Sequence, residues 1–275
     1  LGVKPLTVEA VLKDPAIDVV AVESDVIHHE RHGRLVLEAG KHLHIEKPPA
    51  HTLAGMRELI RLARTKNRLL QSGYMWRYHP GVNAILAAVK QGWLGDVYLA
   101  RAVINNQAPA ERRPEWDMFK GGQMFELGAH MVDAVVRLLG RPEKVTPHLM
   151  KSAGGLPDKL MDNTVAVLEY PRAMAVIQSA ALQPGHGAYR AFEVMGTKGT
   201  ATLKPMEAPV LEMDLAKAAG PYPKGRSKVP MPVYRRYVDD FVELAAAVRG
   251  EKALTVGLEG EWTSLETLLR ACAMA

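Results

Sequence analysis

The 275-residue chain has a single cysteine, Cys272, so it can form no internal disulfide, and the expected setting is a reducing compartment, the cytoplasm. Aromatic residues make up only 6% of the chain and no basic stripe is interleaved with them, which excludes the stacking platforms of nucleic-acid modules. No apolar run approaches the roughly eighteen residues that a membrane helix needs. Charge of one sign is scarce too. The net charge of +5 is mild, and its densest piece, Lys224-Gly-Arg-Ser-Lys228 with Arg235 and Arg236 soon after, reads as a solvated basic loop. Methionine is missing from the first position, where the chain reads Leu1-Gly2-Val3. The expectation is a trimmed or processed start, with a cleaved targeting segment left open.

What is present is ordinary globular material, 48% hydrophobic and 24% charged, long enough for one large domain or two smaller ones. The first third alternates strand and helix. Residues 17–24, IDVVAVES, form a near-continuous β-branched run of the kind buried on both faces of a sheet. Residues 29–39 read as a helix closed by Gly40, and Thr52 caps a second helix whose Leu53, Met56, Ile60 and Ala63 recur at helical spacing until Asn67. Within residues 41–50, KHLHIEKPPA, Leu43 and Ile45 alternate with polar neighbours as a strand does before Pro48-Pro49 ends it, and 68–73, RLLQSG, is a further strand. The pattern predicts a parallel, doubly wound sheet that looks short by one βαβ unit, whose place would be ahead of Leu1. The strand at 17–24 would then present an edge prone to pairing. Beyond Pro80 a helix (82–91), a strand (97–106) and a helix (122–139) lead into strands at 145–151, 164–170, 174–181, 191–195, 200–203 and 210–213. Tight connections at Pro171-Arg172-Ala173 and at Gly196 to Gly199 predict a mostly antiparallel sheet. Helices at 237–249 and 260–274 close the chain. The expected division is 1–78 as the later part of a dinucleotide-fold domain and 79–275 as an α+β domain, the last helix packing back on the first.

Two stretches carry chemistry. In KHLHIEKPPA, Pro48-Pro49 stops the strand, so Glu46 and Lys47 sit at a strand's carboxyl end, the edge where open α/β sheets bind ligands. In residues 121–133, GGQMFELGAHMVD, Glu126 and His130 are four apart and stack on one helix face, with Asp133 a turn further. A carboxylate can orient an imidazole and raise its basicity, as a proton acceptor requires; a solvated i,i+4 pair has the same spacing. In residues 28–32, HHERH, His28 and His32 could hold a metal, but no third ligand is evident and a solvated first helical turn accounts for them, so no metal is expected. Asn105, Asn106 and the 111–116 segment ERRPEW, with Trp116, could line a sugar pocket or form a flexible surface loop. Cys272 reads as packing.

KHLHIEKPPA followed by GGQMFELGAHMVD, with GTKGT at 196–200, resembles the paired signature of the Gfo/Idh/MocA oxidoreductase family. The resemblance implies an α/β Rossmann domain followed by an α+β domain with a broad sheet, and NAD or NADP as cofactor. It implies hydride transfer to or from a secondary alcohol of a sugar or polyol, and a homodimer or homotetramer built on that sheet. Residue by residue, Lys47 matches the lysine that contacts the reacting hydroxyl beside the nicotinamide. His130 matches the histidine that takes the hydroxyl proton, and Glu126 an aspartate that binds substrate hydroxyls. Glu46 and Pro48 match the residues shaping the turn, whose peptide is cis in many members. Tyr74, Trp76 and Arg77 resemble the segment that crosses to the second domain beside the cofactor. Ser24 takes part in the loop against the cofactor, where Ser24-Asp25-Val26 departs from the usual Thr-Pro-Asn. Two other departures are Glu126 for aspartate and the lack of any Gly-x-Gly-x-x-Gly turn before Ile17, without which this chain alone should bind dinucleotide poorly. Two rivals stand beside the dehydrogenase: NAD-assisted glycoside cleavage with the same lysine and histidine, and a non-catalytic binding or oligomerisation protein.

Overall fold

In the computed structural model, which describes residues 5–275, the Thr7 hydroxyl accepts from the Ala10 amide at 3.2 Å and opens α1 (Val8–Lys13). Six residues give too few periods to register in sequence, and no element is expected there. Then follow β1 (Val19–Val22), α2 (His29–Glu38), β2 (His42–Ile45), α3 (Leu53–Thr65) and β3 (Leu70–Ser72). The strands are parallel in the order β1-β2-β3, with Val22 beside Ile45 and Ile45 beside Ser72, so their carboxyl ends lie level. Helix α2 turns Gly33, Val36 and Leu37 inward, and α3 turns Met56, Leu59, Ile60 and Ala63. Thr52 caps α3 as expected, its hydroxyl accepting from the Gly55 amide at 2.9 Å, and Asn67 ends the run at a φ of 51°. The strand expected at 17–24 forms as β1 at an edge of the sheet, as predicted, but it is not buried on both faces. Only Val22 of β1 is buried, because among the described residues β1 pairs with β2 alone. On its other side lies a cavity of about 510 Å³ walled by Leu6, Val8, Val11, Val20, Val22 and Leu35.

The second unit begins at Met75. It comprises α4 (Pro80–Lys90), β4 (Val97–Val103), the short α5 (Arg113–Asp117), a wide π-helical segment (Met124–Gly128) running into α6 (Ala129–Leu139), and seven more strands. These are β5 (Lys144–Met150), β6 (Asn163–Glu169), β7 (Met174–Ala180), β8 (Ala191–Gly196), β9 (Gly199–Leu203), β10 (Leu211–Leu215) and β11 (Gly225–Val229). The sheet order is β11-β10-β9-β8-β4-β7-β6-β5, antiparallel except for β4 beside β7. Ala100, Ala102, Ile177, Phe192 and Val194 are buried on the face that α4 and α6 cover. Leu99, Val103, Val165, Val167 and Val176, on the opposite face, are half-buried. The basic run at 224–228 is a strand and not a loop: β11 sets Arg226 opposite Asp214 and Lys228 opposite Glu212, and such opposite-charge pairs support a strand that composition alone reads as solvated.

After β11 come α7 (Asp239–Val248) and α8 (Leu258–Ala271), with residues 240–265 grouping with the first unit and 266–275 with the second. In the first unit the Gln71 amide donates to the Asp240 carbonyl at 3.2 Å and the Ser72 N–H donates to the Glu261 carboxylate at 3.1 Å. No helix among the described residues is long and apolar enough to cross a membrane. The β8–β9 hairpin depends on Gly196, where a Cβ would lie 2.1 Å from the Leu94 carbonyl oxygen. Backbone cannot yield as a side-chain tip can, so Gly196→Ala should lower unfolding free energy by about 2–3 kcal/mol in urea titration.

Candidate functional site

In the first unit the chemistry-bearing residues stand at the level carboxyl ends of β1 and β2. Lys47 is buried, 8% exposed, and the Lys47–Pro48 peptide is cis as expected. The Glu46 carboxylate lies against the Gly73 backbone at the end of β3. The turn is held by the first residues of α2, which sequence reasoning assigns to solvent. His29 is fully buried, with Nδ1 2.8 Å from the Pro48 carbonyl oxygen and Nε2 2.7 Å from that of Ser24. Next to it, Glu30 Oε1 accepts from the amides of His51 (3.0 Å) and Thr52 (2.9 Å) and from the Thr52 hydroxyl (2.9 Å), so its carboxylate sits at the positive end of α3. The HHERH segment is therefore no solvated turn: its centre clamps residues 48–52. The rings of His28 and His32 are 5.6 Å apart, His32 Nδ1 is 3.0 Å from the Ser24 hydroxyl, and no group of three metal-ligating side chains occurs among the described residues. Asp25 is exposed. No sequence signal could have revealed the clamp at His29, because its partners are backbone carbonyls that any residue supplies.

In the second unit His130 is buried and stacks on the Trp76 indole, ring centroids 5.4 Å apart and planes 30° apart. Stacking fixes the plane of the imidazole. Glu126, half-buried, lies in the π-helical segment one turn before. Asp133, expected on the side of His130, serves another group: Arg77 donates from Nη2 at 2.8 Å and from Nε at 3.1 Å to its carboxylate, both side chains almost fully buried. Arg77 thus stands beside α6 in an ion pair, and Arg137 donates to the Arg77 carbonyl at 3.3 Å. Tyr74 is buried and closes the first unit. His79, which sequence reasoning does not single out, caps α4: Nδ1 accepts from the amides of Gly81 (3.1 Å) and Val82 (3.3 Å), and Nε2 lies 2.9 Å from the Met206 carbonyl. Burial pulls its pKa down, which suits the neutral tautomer this geometry requires.

The 111–116 segment is fixed. Arg113 is buried and donates to Asp158 at 2.7 and 3.0 Å and to Asp162 at 2.7 Å. Trp116, on α5, is half-buried and the segment's Arg112 guanidinium lies 5.4 Å from its ring centre. Asn105 is buried with both amide functions used, accepting from Ala180 N–H at 2.8 Å and donating to Gln183 at 2.7 Å, so it fastens the end of β4. The Asn106 carbonyl oxygen of the side chain accepts from Gln123 at 3.1 Å. Gly122, at a φ of 47°, allows the chain at Met161 to pass where a Cβ would meet its carbonyl oxygen at 2.6 Å. Cys272 is buried among apolar neighbours, which raises its pKa well above that of an ordinary thiol.

A nicotinamide cofactor can be tested against these groups. Three level strand ends, a buried ammonium at Lys47 and the half-buried Ser24 suit the reacting end of such a molecule. Among the described residues no Gly-x-Gly-x-x-Gly turn is available for its pyrophosphate.

A doubly wound parallel sheet ending on Lys47, followed by a helix bearing Glu126 and His130 over a broad sheet, defines a dinucleotide-type oxidoreductase architecture. Residues 5–74 match a family model described as "Oxidoreductase family, NAD-binding Rossmann fold", and residues 82–202 match one described as "GFO/IDH/MocA C-terminal domain". The chain belongs to the Gfo/Idh/MocA family. It is 28% identical over 207 residues to trans-1,2-dihydrobenzene-1,2-diol dehydrogenase of Mus musculus, covering 73% of this chain and 59% of that one. It is 28% identical over 182 residues to scyllo-inositol 2-dehydrogenase (NADP(+)) of Bacillus subtilis, covering 65% and 50%. The matched region thus spans between half and three-fifths of these relatives. Among solved structures, aldose-aldose oxidoreductase from Caulobacter crescentus superposes with a TM-score of 0.82 at 20% identity, covering 96% of this chain and 80% of that one, and so shares its fold.

The guanidinium of Arg113 holds the Asp158 carboxyl down at about 2, below its usual 3.8. A carboxylate with a depressed pKa stabilises the fold above its unfolded value, and that contribution drains away as pH falls from about 4 toward 2. Thermal denaturation followed over that range should show a steep acid loss that Asp158→Asn flattens, at the cost of lower stability at neutral pH.

Proposed function

We propose that this chain serves an NAD(P)-dependent oxidoreductase that moves a hydride between a nicotinamide cofactor and a secondary alcohol of a sugar, cyclitol or sugar derivative. The observation that carries the reading is the buried Lys47 at a parallel strand end, in a chain that also holds His130 stacked on Trp76. The names of the two curated relatives, a cyclic diol dehydrogenase and an inositol dehydrogenase, support ring-borne alcohols as the substrate class. In this reading residues 1–78 belong to the dinucleotide-binding domain and 79–275 to the substrate and oligomerisation domain, working in the cytoplasm.

When bound, the nicotinamide accepts or supplies the hydride. Lys47 donates to the reacting oxygen and stabilises the charge that develops on it. His130 takes up the hydroxyl proton, its ring plane set by Trp76. Glu126 accepts from neighbouring hydroxyls. Glu46 and Pro48 shape the turn under Lys47, Ser24 borders the cofactor, and Arg77 acts through Asp133. Trp116 offers a face to the sugar ring, and Asn105 works from behind by securing β4.

Lys47→Ala and His130→Ala in the intact protein should each cut turnover by at least about a hundredfold while circular dichroism stays unchanged. Full activity in either variant discards the assignment. Release of free sugar without net NAD(P)H would replace it by NAD-assisted glycoside cleavage.

We also propose that the helix-free face of the large sheet joins copies of this chain. Val167 and Val176 are paired neighbours there, both half-buried, with Met174, two residues before Val176, 52% exposed. Val167→Lys with Val176→Lys should shift the sedimentation of a dimer or tetramer to that of a monomer, since two buried charges would lack partners.

A further inference from the structure

His29 has no exposed surface, and both its ring nitrogens face backbone carbonyl oxygens, Ser24 at 2.7 Å and Pro48 at 2.8 Å. A carbonyl oxygen only accepts. A neutral imidazole carries one N–H, so in either tautomer one of the two contacts would set a nitrogen lone pair against an oxygen lone pair at hydrogen-bond distance. The doubly protonated ring alone satisfies both. The two carbonyls belong to the loop after β1 and to the residue after Lys47, so this one ring ties together the two strand ends that border the candidate site.

We propose that His29 is a positioning residue that works as a cation: its two N–H groups pin the Lys47–Pro48 turn to the Ser24 loop and so hold the Lys47 ammonium in place. The proposal rests on the reading of Lys47 given above. When the ring gives up one proton, one carbonyl loses its donor and the turn is held from a single side. Charged residues occur in the segments that the ring ties together. From its own segment come His28, Glu30, Arg31 and His32, the last of which it repels. From the β1 loop come Glu23 and Asp25, and from the β2 turn Glu46 and Lys47. On α3, Glu58 lines a hollow together with Glu30 and His51.

The test is nuclear magnetic resonance of the intact protein labelled with 15N in its histidines, with His29→Gln used to assign the signals. Two ring N–H protons on His29 at neutral pH, both slow to exchange with water, are the expected result. One N–H and one bare nitrogen overturns the proposal, whether or not the protein is active. In kinetics, His29→Gln should lower kcat on the order of tenfold, because a shifted catalytic group loses alignment, while KM for the alcohol changes far less. An unchanged kcat in a folded His29→Gln protein also overturns it. If Lys47→Ala retained full turnover, the functional reading would fall while the two protons on His29 remained to be counted, so the two failures are separable.

Discussion

The first turn of α2 is the contact on which the ligand-facing edge of the small sheet depends. A parallel strand delivers its last residue to the sheet's edge but cannot hold it there, because the ladder ends where the chain turns away. At Pro48-Pro49 the backbone also lacks two N–H groups with which it could have fastened itself. His29 and Glu30 take over that task from the side, one reaching the Pro48 carbonyl and the other the amides of His51 and Thr52. The same carboxylate is the anion at the head of α3, so the helix that follows the turn and the turn itself share a single anchor.

In the second unit the corresponding work is done by packing and buried charge. The indole of Trp76 sets the plane of His130, while Arg77, one residue on, grips Asp133 on the same helix. Glu126 and His130, the residues proposed for the chemistry, therefore belong to a helical run held by two consecutive residues of one short segment. Upstream, the Gln123 N–H donates to the Met161 carbonyl at 2.9 Å, and the neighbouring Asp162 is paired to Arg113. A segment that composition presents as a loose, charged loop is thereby tied to the start of the site helix.

How much of this was legible in the sequence follows from what kind of atom does the fastening. Lys47, Glu126 and His130 are singled out by the resemblance of their two stretches to a family signature, since spacing alone fits a solvated pair equally well, whereas the strands and helices around them follow from apolar period. The clamp at His29, the cap at His79 and one of the two contacts of Asn105 end on backbone amides or carbonyls, which every residue presents alike. Arg113 and its two carboxylates are 45 and 49 positions apart, and a basic residue amid ERRPEW gives no hint of its buried partners. The strand β11 was hidden for the opposite reason: its charges are real, but they face Asp214 and Glu212 across the ladder and not water alone.

The use of charge in burying the site helix has its own logic. A buried ion pair seldom adds stability over well-packed apolar residues of like volume, since each ion must first leave water. If cohesion were the only need, Arg77 and Asp133 could have been leucines. What a guanidinium on a carboxylate adds is direction: two parallel N–H contacts fix the rotation of one element against the other, where an apolar contact would tolerate some turning. Rotation about its own axis is the motion of α6 that would lift the His130 ring off the Trp76 indole. The Asp133 pair resists that motion three residues from His130, and the Gln123 contact with Met161 resists it at the other end of the segment that carries Glu126.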